Sequence, residues 1–235
     1  MIAYKFLAAG RVAPFGGVSW PEPGTWLETG TKPERCFAGI HALHPHALLD
    51  WIDDELWSCE LAGTIDDDGD VLVAERGRLV ERIATWNEAS ACEFARRCAA
   101  RGRELVVDAI RREGHEAEAR ALDDLDAVRF VSVAAEVAAQ LPSHAAGLVL
   151  MAADTTALAE GRRLTDREPH LRSHLEAVAA TRSTYGAVAA NVAFVVSHST
   201  AAVSPDGYDA AFAAERGWQL DRLLDLLGLG VPAPA

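Results

Sequence analysis

Lysine and positive charge are scarce in this sequence. Of its 22 basic residues only Lys5 and Lys32 are lysines, and 35 acidic residues bring the formal net charge to −13. Such a chain would repel an extended phosphate backbone on average, because nucleic-acid binding relies on clustered Lys and Arg. We therefore expect no nucleic-acid partner.

Cysteine and long apolar runs are also limited. The four cysteines have no C-x-x-C spacing, which favours reduced thiols over a disulfide framework. The most apolar stretch, residues 187–196, is interrupted by Asn191 and is shorter than the roughly 20 residues of a membrane span. The N-terminus does not resemble a signal peptide. These features predict a cytoplasmic protein with no membrane partner.

Several motifs that would identify an enzyme class are missing. The sequence contains no G-x-G-x-x-G, no G-x-x-x-x-G-K-[ST], no G-x-S-x-G and no H-E-x-x-H. Support is thereby removed from the common nucleotide-loop, hydrolase and zinc-protease interpretations. A cofactor cannot be named from the sequence.

The amino-acid composition divides the chain into two parts. Residues 1–86 hold five of the six Trp, half of the Pro and Gly and only short apolar runs, whereas residues 87–231 are rich in helix-forming Ala, Leu, Glu and Arg. Residues 232–235 look like a frayed tail. We predict an α+β protein, in which a small antiparallel sheet domain precedes a larger α-helical bundle.

Four strands and a hairpin are predicted in the first part. The strand segments are residues 3–7, 56–61, 71–74 and 78–83. The Asp-Gly pair at Asp68 and Gly69 favours a hairpin turn. A calcium loop is the alternative, but that pattern needs Gly at position 71 and Glu at position 77, where Val71 and Gly77 stand.

Six helices are predicted after residue 86. Asn87 is a candidate N-cap for the first, which would end before Gly114. The predicted ranges are 87–113, 116–122, 126–140, 145–160, 170–197 and 208–227. A leucine stripe at positions 220, 223, 224 and 227 indicates a core-facing helix.

Two histidine groups could bind metal. Cys36, His41, His44 and His46 lie within eleven residues, and a tetrahedral zinc site uses such ligands. The alternative, which we favour, is a hydrogen-bonded His41 with the other two imidazoles facing solvent. A second pair, His170 and His174, is four residues apart on a predicted helix and more simply forms a solvated face. We predict no metal site.

Three cations could hold an anionic group. Arg76 and Arg78 alternate along a predicted strand and share a face, and Lys5 lies on a strand that could neighbour it. Pairing of the arginines with surface carboxylates is the favoured alternative. The clustered tryptophans, Trp57 among them, either line a pocket or fill a small core, and core filling is favoured.

The N-terminal motifs begin with Tyr4-Lys5-Phe6-Leu7 and Pro14-Phe15 and continue through Trp20, Trp26, Cys36-x-x-Gly39-Ile40-His41-Ala42, Trp51, Leu56-Trp57, Glu60-Leu61-x-Gly63 and Val73-Ala74-x-Arg76-x-Arg78-Leu79. This set resembles an actinobacterial protein family of this length with a helical C-terminal part. The arginine excess and abundant alanine are typical of such high-GC genomes. The resemblance implies no activity, and members commonly have Cys where this chain has Leu43, which weakens Cys-based metal or redox proposals.

Gly39-Ile40-His41 is also similar to the Gly-x-His strand of small ADP-ribosyltransferase-like domains, which helps to form a cleft for a nicotinamide dinucleotide. This similarity implies that His41 contacts a ribose, Arg76 or Arg78 a phosphate and Trp57 the nicotinamide. It would make Glu60 the candidate glutamate. Its catalytic candidates are thus His41 and Glu60, and the ligand-binding candidates are Arg76, Arg78, Trp57, Tyr4 and Lys5.

Two functions remain open from the sequence. The first is a small-molecule or nucleotide-binding enzyme, ADP-ribosyltransferase-like in one version, with its site between the sheet and the helical part. The second is a non-catalytic helical module for protein interaction or homodimerisation.

Overall fold

The computed structural model describes residues 1–161 and 184–230. An N-terminal antiparallel sheet is followed by helices, which confirms the predicted α+β class. The following description is confined to those residues.

The chain forms two compact units. Of the described residues, the first comprises 1–91, 184–186 and 220–230, and the second comprises 92–161 and 187–219. The first unit therefore contains segments from the C-terminal half as well as the predicted strand-rich part.

Five strands make the sheet of the first unit, and four of them close into a small barrel. All pairings are antiparallel: β1 pairs with β3 and β4, and β5 also pairs with both β3 and β4, so these strands form a ring. The short β2 pairs with β5. The strands are β1 Ile2–Leu7, β2 Leu27–Glu28, β3 Ile40–Leu43, β4 Glu55–Asp67 and β5 Val71–Arg82.

The predicted hairpin is present, but its strands are longer than expected. β4 runs to Asp67, β5 begins at Val71, and the carboxylate of Asp68 accepts hydrogen bonds from the backbone N–H groups of Asp70 and Val71. The predicted break between residues 74 and 78 is wrong, because Arg76 and Gly77 pair with β2 and β4 within one continuous strand.

The inner face of β1 is apolar apart from one lysine. Side chains two residues apart on a strand share a face, and Ala3 and Leu7 of β1 are buried in the core of this unit. Lys5 lies between them on the same face. Burial of this apolar surface is the main favourable contribution to folding.

Six α-helices are found in the described part of the chain. Asn87 caps the first, since its side-chain oxygen accepts from the N–H groups of Ala89 and Ser90. The helices are α1 Glu88–Arg112, α2 Glu116–Leu122, α3 Ala127–Ala138, α4 Ser143–Ala159, α5 Tyr185–Ala201 and α6 Tyr208–Leu227. A 3-10 helix, Pro45–Trp51, follows β3.

The helices supply a second core and part of the first. Within the second unit, Ile110, Leu122, Phe130 and Val149 are among the residues of one buried apolar cluster. The leucine stripe of α6 is buried at Leu223, Leu224 and Leu227, as its spacing predicted. None of the helices in the described ranges is both long and apolar enough to cross a membrane.

Only part of the predicted helix at residues 170–197 lies within the described residues. Its second half corresponds to α5, which continues to Ala201. His170 and His174 lie outside the described residues, and so does the predicted helical start.

Candidate functional site

The first unit contains a cavity of about 630 Å³ beside β1 and β3. Its walls are mainly apolar and include several aromatic rings. The polar lining consists of Lys5, Glu28, Thr29, Arg35, Cys36 and His41. Among the apolar lining residues are Phe6, Phe15, Val18, Trp20, Leu27 and Trp51.

Lys5 projects its amino group from β1 toward this cavity. Pairing of β1 with β3 is limited to Tyr4 opposite Leu43. Next to this pair, Lys5 Nζ donates to the backbone carbonyl of His41 at 2.6 Å. The Nζ atom also lies 5.5 Å from the ring centroid of Trp20, within cation–π range.

The surroundings of Lys5 disfavour its charged form. Burial lowers the pKa of its amino group to about 8, and the opposing effect of the Cys59 thiol is smaller. In the described part of the chain, Lys5 forms no ion pair with a carboxylate. A buried ammonium without a counter-charge is costly, so these surroundings favour the neutral amine.

Three of the other polar lining residues, Arg35, Glu28 and Thr29, already have partners. Arg35 forms an ion pair with Asp68, and a carboxylate oxygen of Glu28 lies 3.9 Å from the guanidinium of Arg76. The hydroxyl of Thr29 donates to the backbone carbonyl of Glu75 at 3.1 Å. Lys5 is thus the cavity cation without a carboxylate partner in the described residues.

His41 lines the cavity, and its ring forms hydrogen bonds that hold the loop before β3. Its Nε2 accepts from the backbone N–H of Cys36 at 3.1 Å, and its Nδ1 lies 3.2 Å from the carbonyl oxygen of Gly39. This arrangement requires the neutral imidazole with its proton on Nδ1. Burial, followed by the charges of Lys5 and Arg35, lowers the pKa of His41 and favours that neutral form.

The loop that His41 holds has unusual backbone geometry. Cys36 has a φ of +66°, which is uncommon for a residue with a side chain, and Gly39 has a φ of +113°. A Cβ atom at position 39 would come within 2.7 Å of Val73, so only glycine fits there. The favoured interpretation of His41 as a hydrogen-bonded histidine matches this geometry.

Glu60, the candidate glutamate, is paired with Arg78 on the outer side of the barrel. Glu60 alternates along β4 with the buried Cys59 and Leu61, and its Oε2 accepts from Arg78 Nε at 2.8 Å and Nη2 at 2.6 Å. Glu60 is not among the cavity-lining residues. This pair follows the favoured alternative of surface pairing with carboxylates.

The two arginines share one face, as their spacing predicted, but they meet a tryptophan and not the cavity. The guanidinium carbons of Arg76 and Arg78 lie 5.0 Å and 4.8 Å from the ring centroid of Trp26. Lys5 lies on the inner face of another strand, so these three cations do not converge on one anion.

The positions of Trp57 and Tyr4 follow from strand pairing in the barrel, and both side chains lie away from the cavity. Trp57 lies opposite Lys5 on β4 and is buried in the barrel core, where its indole N–H donates to the Glu55 carboxylate at 3.0 Å. Tyr4 alternates with Lys5 on β1 and so points to the other face. Neither residue lines the cavity.

The remaining histidines of the cluster lie at the hairpin turn. The rings of His44 and His46 are stacked at 5.4 Å. His44 Nε2 lies 3.1 Å from a carboxylate oxygen of Asp67, and His46 Nε2 lies 2.7 Å from the carbonyl of Gly69. Within the described ranges, no three His, Cys, Asp or Glu side chains are placed to hold a metal ion.

Sequence reasoning missed several cavity residues. Val18 lies in the loop after β1 and Arg35 in the loop before β3, where neither periodicity nor a motif signals a role. Phe15 belongs to the N-terminal motif set, but that set assigned it no role. A usable signal was Lys5 itself, because a lysine between apolar residues of a predicted strand must either face solvent or line a polar site.

Comparisons with protein-family models, with curated proteins and with solved structures gave no match for this chain. The function is therefore inferred from the geometry of the cavity.

Proposed function

We propose that the first unit binds a small, largely apolar molecule bearing an oxygen acceptor, with Lys5 as the polar anchor. The observation that carries this proposal is the Lys5 amino group in the wall of an apolar cavity of about 630 Å³, without a carboxylate partner in the described residues. Ligand pockets commonly combine apolar walls with a few placed polar groups.

The chemistry of the lining supports a ligand with one anionic or carbonyl head. Trp20 and Trp51 offer aromatic surface for its apolar body. Lys5 can donate to a carboxylate or carbonyl oxygen, and such charge-assisted hydrogen bonds are stronger than neutral ones. Arg35 already pairs with Asp68, which leaves little positive charge for a dinucleotide.

The proposal is tested by thermal unfolding and tryptophan fluorescence of the full chain. Octanoate, cinnamate, cinnamyl alcohol and NAD are the probes. We expect the two carboxylates to raise the melting temperature, because a ligand that binds only the folded state stabilises it. We also expect fluorescence quenching, since two of the six tryptophans line the cavity.

Two variants make the test specific. Lys5→Met should lose the response to both carboxylates, whereas Glu60→Gln, on the outer face of β4, should keep it. No response of the wild type, or an equal response of Lys5→Met, would count against the proposal. A response to NAD alone that Glu60→Gln abolishes would favour the ADP-ribosyltransferase-like hypothesis, which stays a prediction.

A non-catalytic interaction module stays the second candidate. In the second unit Phe194 is 50% exposed and Tyr208 is 43% exposed, and both rings contact His198. Exposed aromatic residues are enriched at protein interfaces. Light scattering after size exclusion over a concentration series tests this candidate, because Phe194→Ser should shift a dimer toward monomer.

A further inference from the structure

We propose that the Lys5 amine captures the carbonyl carbon of an aldehyde or ketone ligand as a reversible imine inside the cavity. This inference rests on the proposed ligand-binding function and deepens it by naming the reactive group of the ligand. It would make Lys5 a nucleophile as well as an anchor.

The first support is the position of the amine. Nζ has one protein hydrogen-bond acceptor within the described residues, the carbonyl oxygen of His41, and it lies at a cavity with room for a small molecule. An amine fastened by a single acceptor keeps other directions for a ligand. Lys5 is only half-buried as a residue and lines the cavity, so its side chain is not enclosed in the barrel core.

The second support is the protonation state. Only the neutral amine attacks a carbonyl, and desolvation lowers the pKa of Lys5 to about 8. At pH 7 roughly a tenth of the Lys5 side chains would be neutral, whereas for an ordinary lysine of pKa about 10.4 the neutral fraction is below about one in a thousand. The nucleophilic fraction is thus increased by about two orders of magnitude.

The step is balanced without an added oxidant or reductant. The nitrogen lone pair forms a C–N bond with the carbonyl carbon, and the C=O π electrons move to oxygen, which takes up the proton released by nitrogen. The resulting carbinolamine loses its hydroxyl as water after taking up one more proton, and the C–O bond breaks as a C=N bond forms. Hydrolysis reverses the sequence.

The apolar walls suit the hydrocarbon part of this product. In surroundings that disfavour a charged Lys5, the iminium can release its proton to give a neutral imine, and its hydrocarbon substituent would lie among rings such as Phe15 and Trp20. Excluded water slows hydrolysis of such intermediates. We therefore expect the ligand to carry its carbonyl next to an aromatic or alkyl group.

The chain contains an internal control, because it has only one other lysine. Lys32 is exposed in the loop before β3 and does not line the cavity. A further amine in the described residues is that of Met1, which donates to the carbonyl of Leu61 at 3.2 Å. Peptide mass spectrometry can distinguish the three amines.

The test uses the full chain, cinnamaldehyde and sodium cyanoborohydride, which reduces an imine to a stable secondary amine. At pH 7 we expect at least tenfold faster labelling of Lys5 than of Lys32. The rate at Lys5 should level off above about pH 8, while that at Lys32 should continue to rise. Excess cinnamate should slow labelling at Lys5 and leave Lys32 unchanged.

Two variants complete the experiment. Lys5→Arg keeps a cation but cannot form an imine, so labelling should fall to the level of Lys32, and circular dichroism checks its fold. Lys32→Arg should label at Lys5 as the wild type does. Equal labelling of the two lysines in the wild type would overturn the imine.

The two proposals can fail separately. If cinnamate or octanoate stabilises the wild type but Lys5 is labelled no faster than Lys32, the imine is refuted and the binding site stands. If Lys5 is labelled selectively but cinnamate neither slows it nor binds, the amine is reactive and the proposed acceptor-binding cavity is refuted. Failure of both measurements refutes both.

Discussion

A single side chain, Lys5, distinguishes the barrel interior from an ordinary apolar core. Its neighbours on the inner face of β1, Ala3 and Leu7, are buried and apolar. Desolvation of an ammonium in such surroundings costs free energy, which one hydrogen bond to His41 and the ring of Trp20 offset only in part. Barrel stability should therefore depend on the protonation of Lys5.

The first prediction concerns this dependence on pH. The pKa of Lys5 is about 8 in the folded chain and about 10.4 when unfolded, so between these values the unfolded chain holds more protons. The free energy of unfolding of the wild type, relative to Lys5→Met, should rise with pH through this window, by at most ~1.4 kcal/mol per pH unit. Urea unfolding at pH 7 to 10.5 measures this difference.

The comparison with Lys5→Met is needed because the buried thiols have the opposite effect to Lys5 on the free energy of unfolding as the pH rises. Burial raises the pKa of Cys59 to about 12 and also raises that of Cys98, so each thiol reduces stability as the pH rises above its ordinary value. Both thiols are present in both proteins and largely cancel. A difference that stays flat from pH 8 to 10.5 would contradict the lowered pKa.

At the scale of elements, the loop between β2 and β3 depends on one imidazole. His41 accepts from the N–H of Cys36 and lies against the carbonyl of Gly39, so its ring adds to the backbone pairing of Glu34 with Ala38 in this loop. Loss of the ring leaves these groups to water and removes a wall of the cavity.

The second prediction is that His41→Ala exposes this loop to protease. Trypsin cleaves after Arg35, whereas Pro33 protects the bond after Lys32. We expect cleavage after Arg35 to become at least several-fold faster, because local opening controls access to the bond. Peptide mapping of a digestion time course measures the rate, with Glu60→Gln as a variant expected to resemble the wild type. An unchanged rate would show that the ring does not hold the loop.

His41 also gives this element a pH dependence. Its pKa is lowered in the folded chain, chiefly by burial, so the unfolded chain binds a proton more readily. The stability that the neutral ring contributes is present above about pH 6.5 and is lost as the pH falls through the lowered folded value. Wild type and His41→Ala should therefore converge in stability on acidification.

The third prediction compares two glycines in different elements. A Cβ at Gly77 on β5 would lie 2.8 Å from Ile40 Cγ2 and 3.2 Å from Leu61 Cδ2, inside the barrel. Gly77→Ala should reduce the free energy of unfolding by about 1–3 kcal/mol through overpacking. Gly147→Ala in α4 meets no atom within 4 Å and should stabilise by up to about 1 kcal/mol.

Urea unfolding of both variants decides this comparison. Both variants add the same methyl group. Opposite signs of the change in the free energy of unfolding would therefore separate the effect of barrel packing from that of helix propensity. A Gly77→Ala protein as stable as the wild type would mean that Ile40 and Leu61 can move aside, and that the interior is less tightly filled than described.

At the scale of the whole molecule, the first unit takes its segments from both ends of the chain. The buried leucines of α6, Leu223, Leu224 and Leu227, belong to it. The hydroxyl of Thr85 donates to the carbonyl of Leu227 at 3.0 Å, and the backbone N–H of Gly186 donates to the Asp54 carboxylate at 3.2 Å.

The fourth prediction follows for a fragment of residues 1–86, the predicted strand-rich domain. Without the α6 leucines and the Gly186 contact, it should not fold cooperatively, because its buried apolar surface and the Asp54 carboxylate lose their partners. Near-ultraviolet circular dichroism and urea unfolding of the fragment, with the full chain as control, measure this. A sharp unfolding transition of the fragment would contradict the prediction.

Local patterns determined much of this architecture. The helix-forming composition, the Asn87 cap and the leucine spacing of α6 each act over a few residues, so the sequence alone placed these helices close to their observed bounds. The Asp68-Gly69 turn was predictable for the same reason. β3 was missed because its four residues lie between loops and form a strand only through pairing with β1 and β5.

The sequence indicated which residues have chemistry suited to a site. The tertiary structure decided which of those candidates line the cavity. Glu60, Arg76, Arg78 and Trp57 have suitable chemistry but meet each other or the core, whereas Lys5 and His41 line the cavity. Closure of the barrel decides which strand faces turn inward, and desolvation there sets the pKa of Lys5. Both effects depend on partners far apart in the chain, which no local pattern can specify.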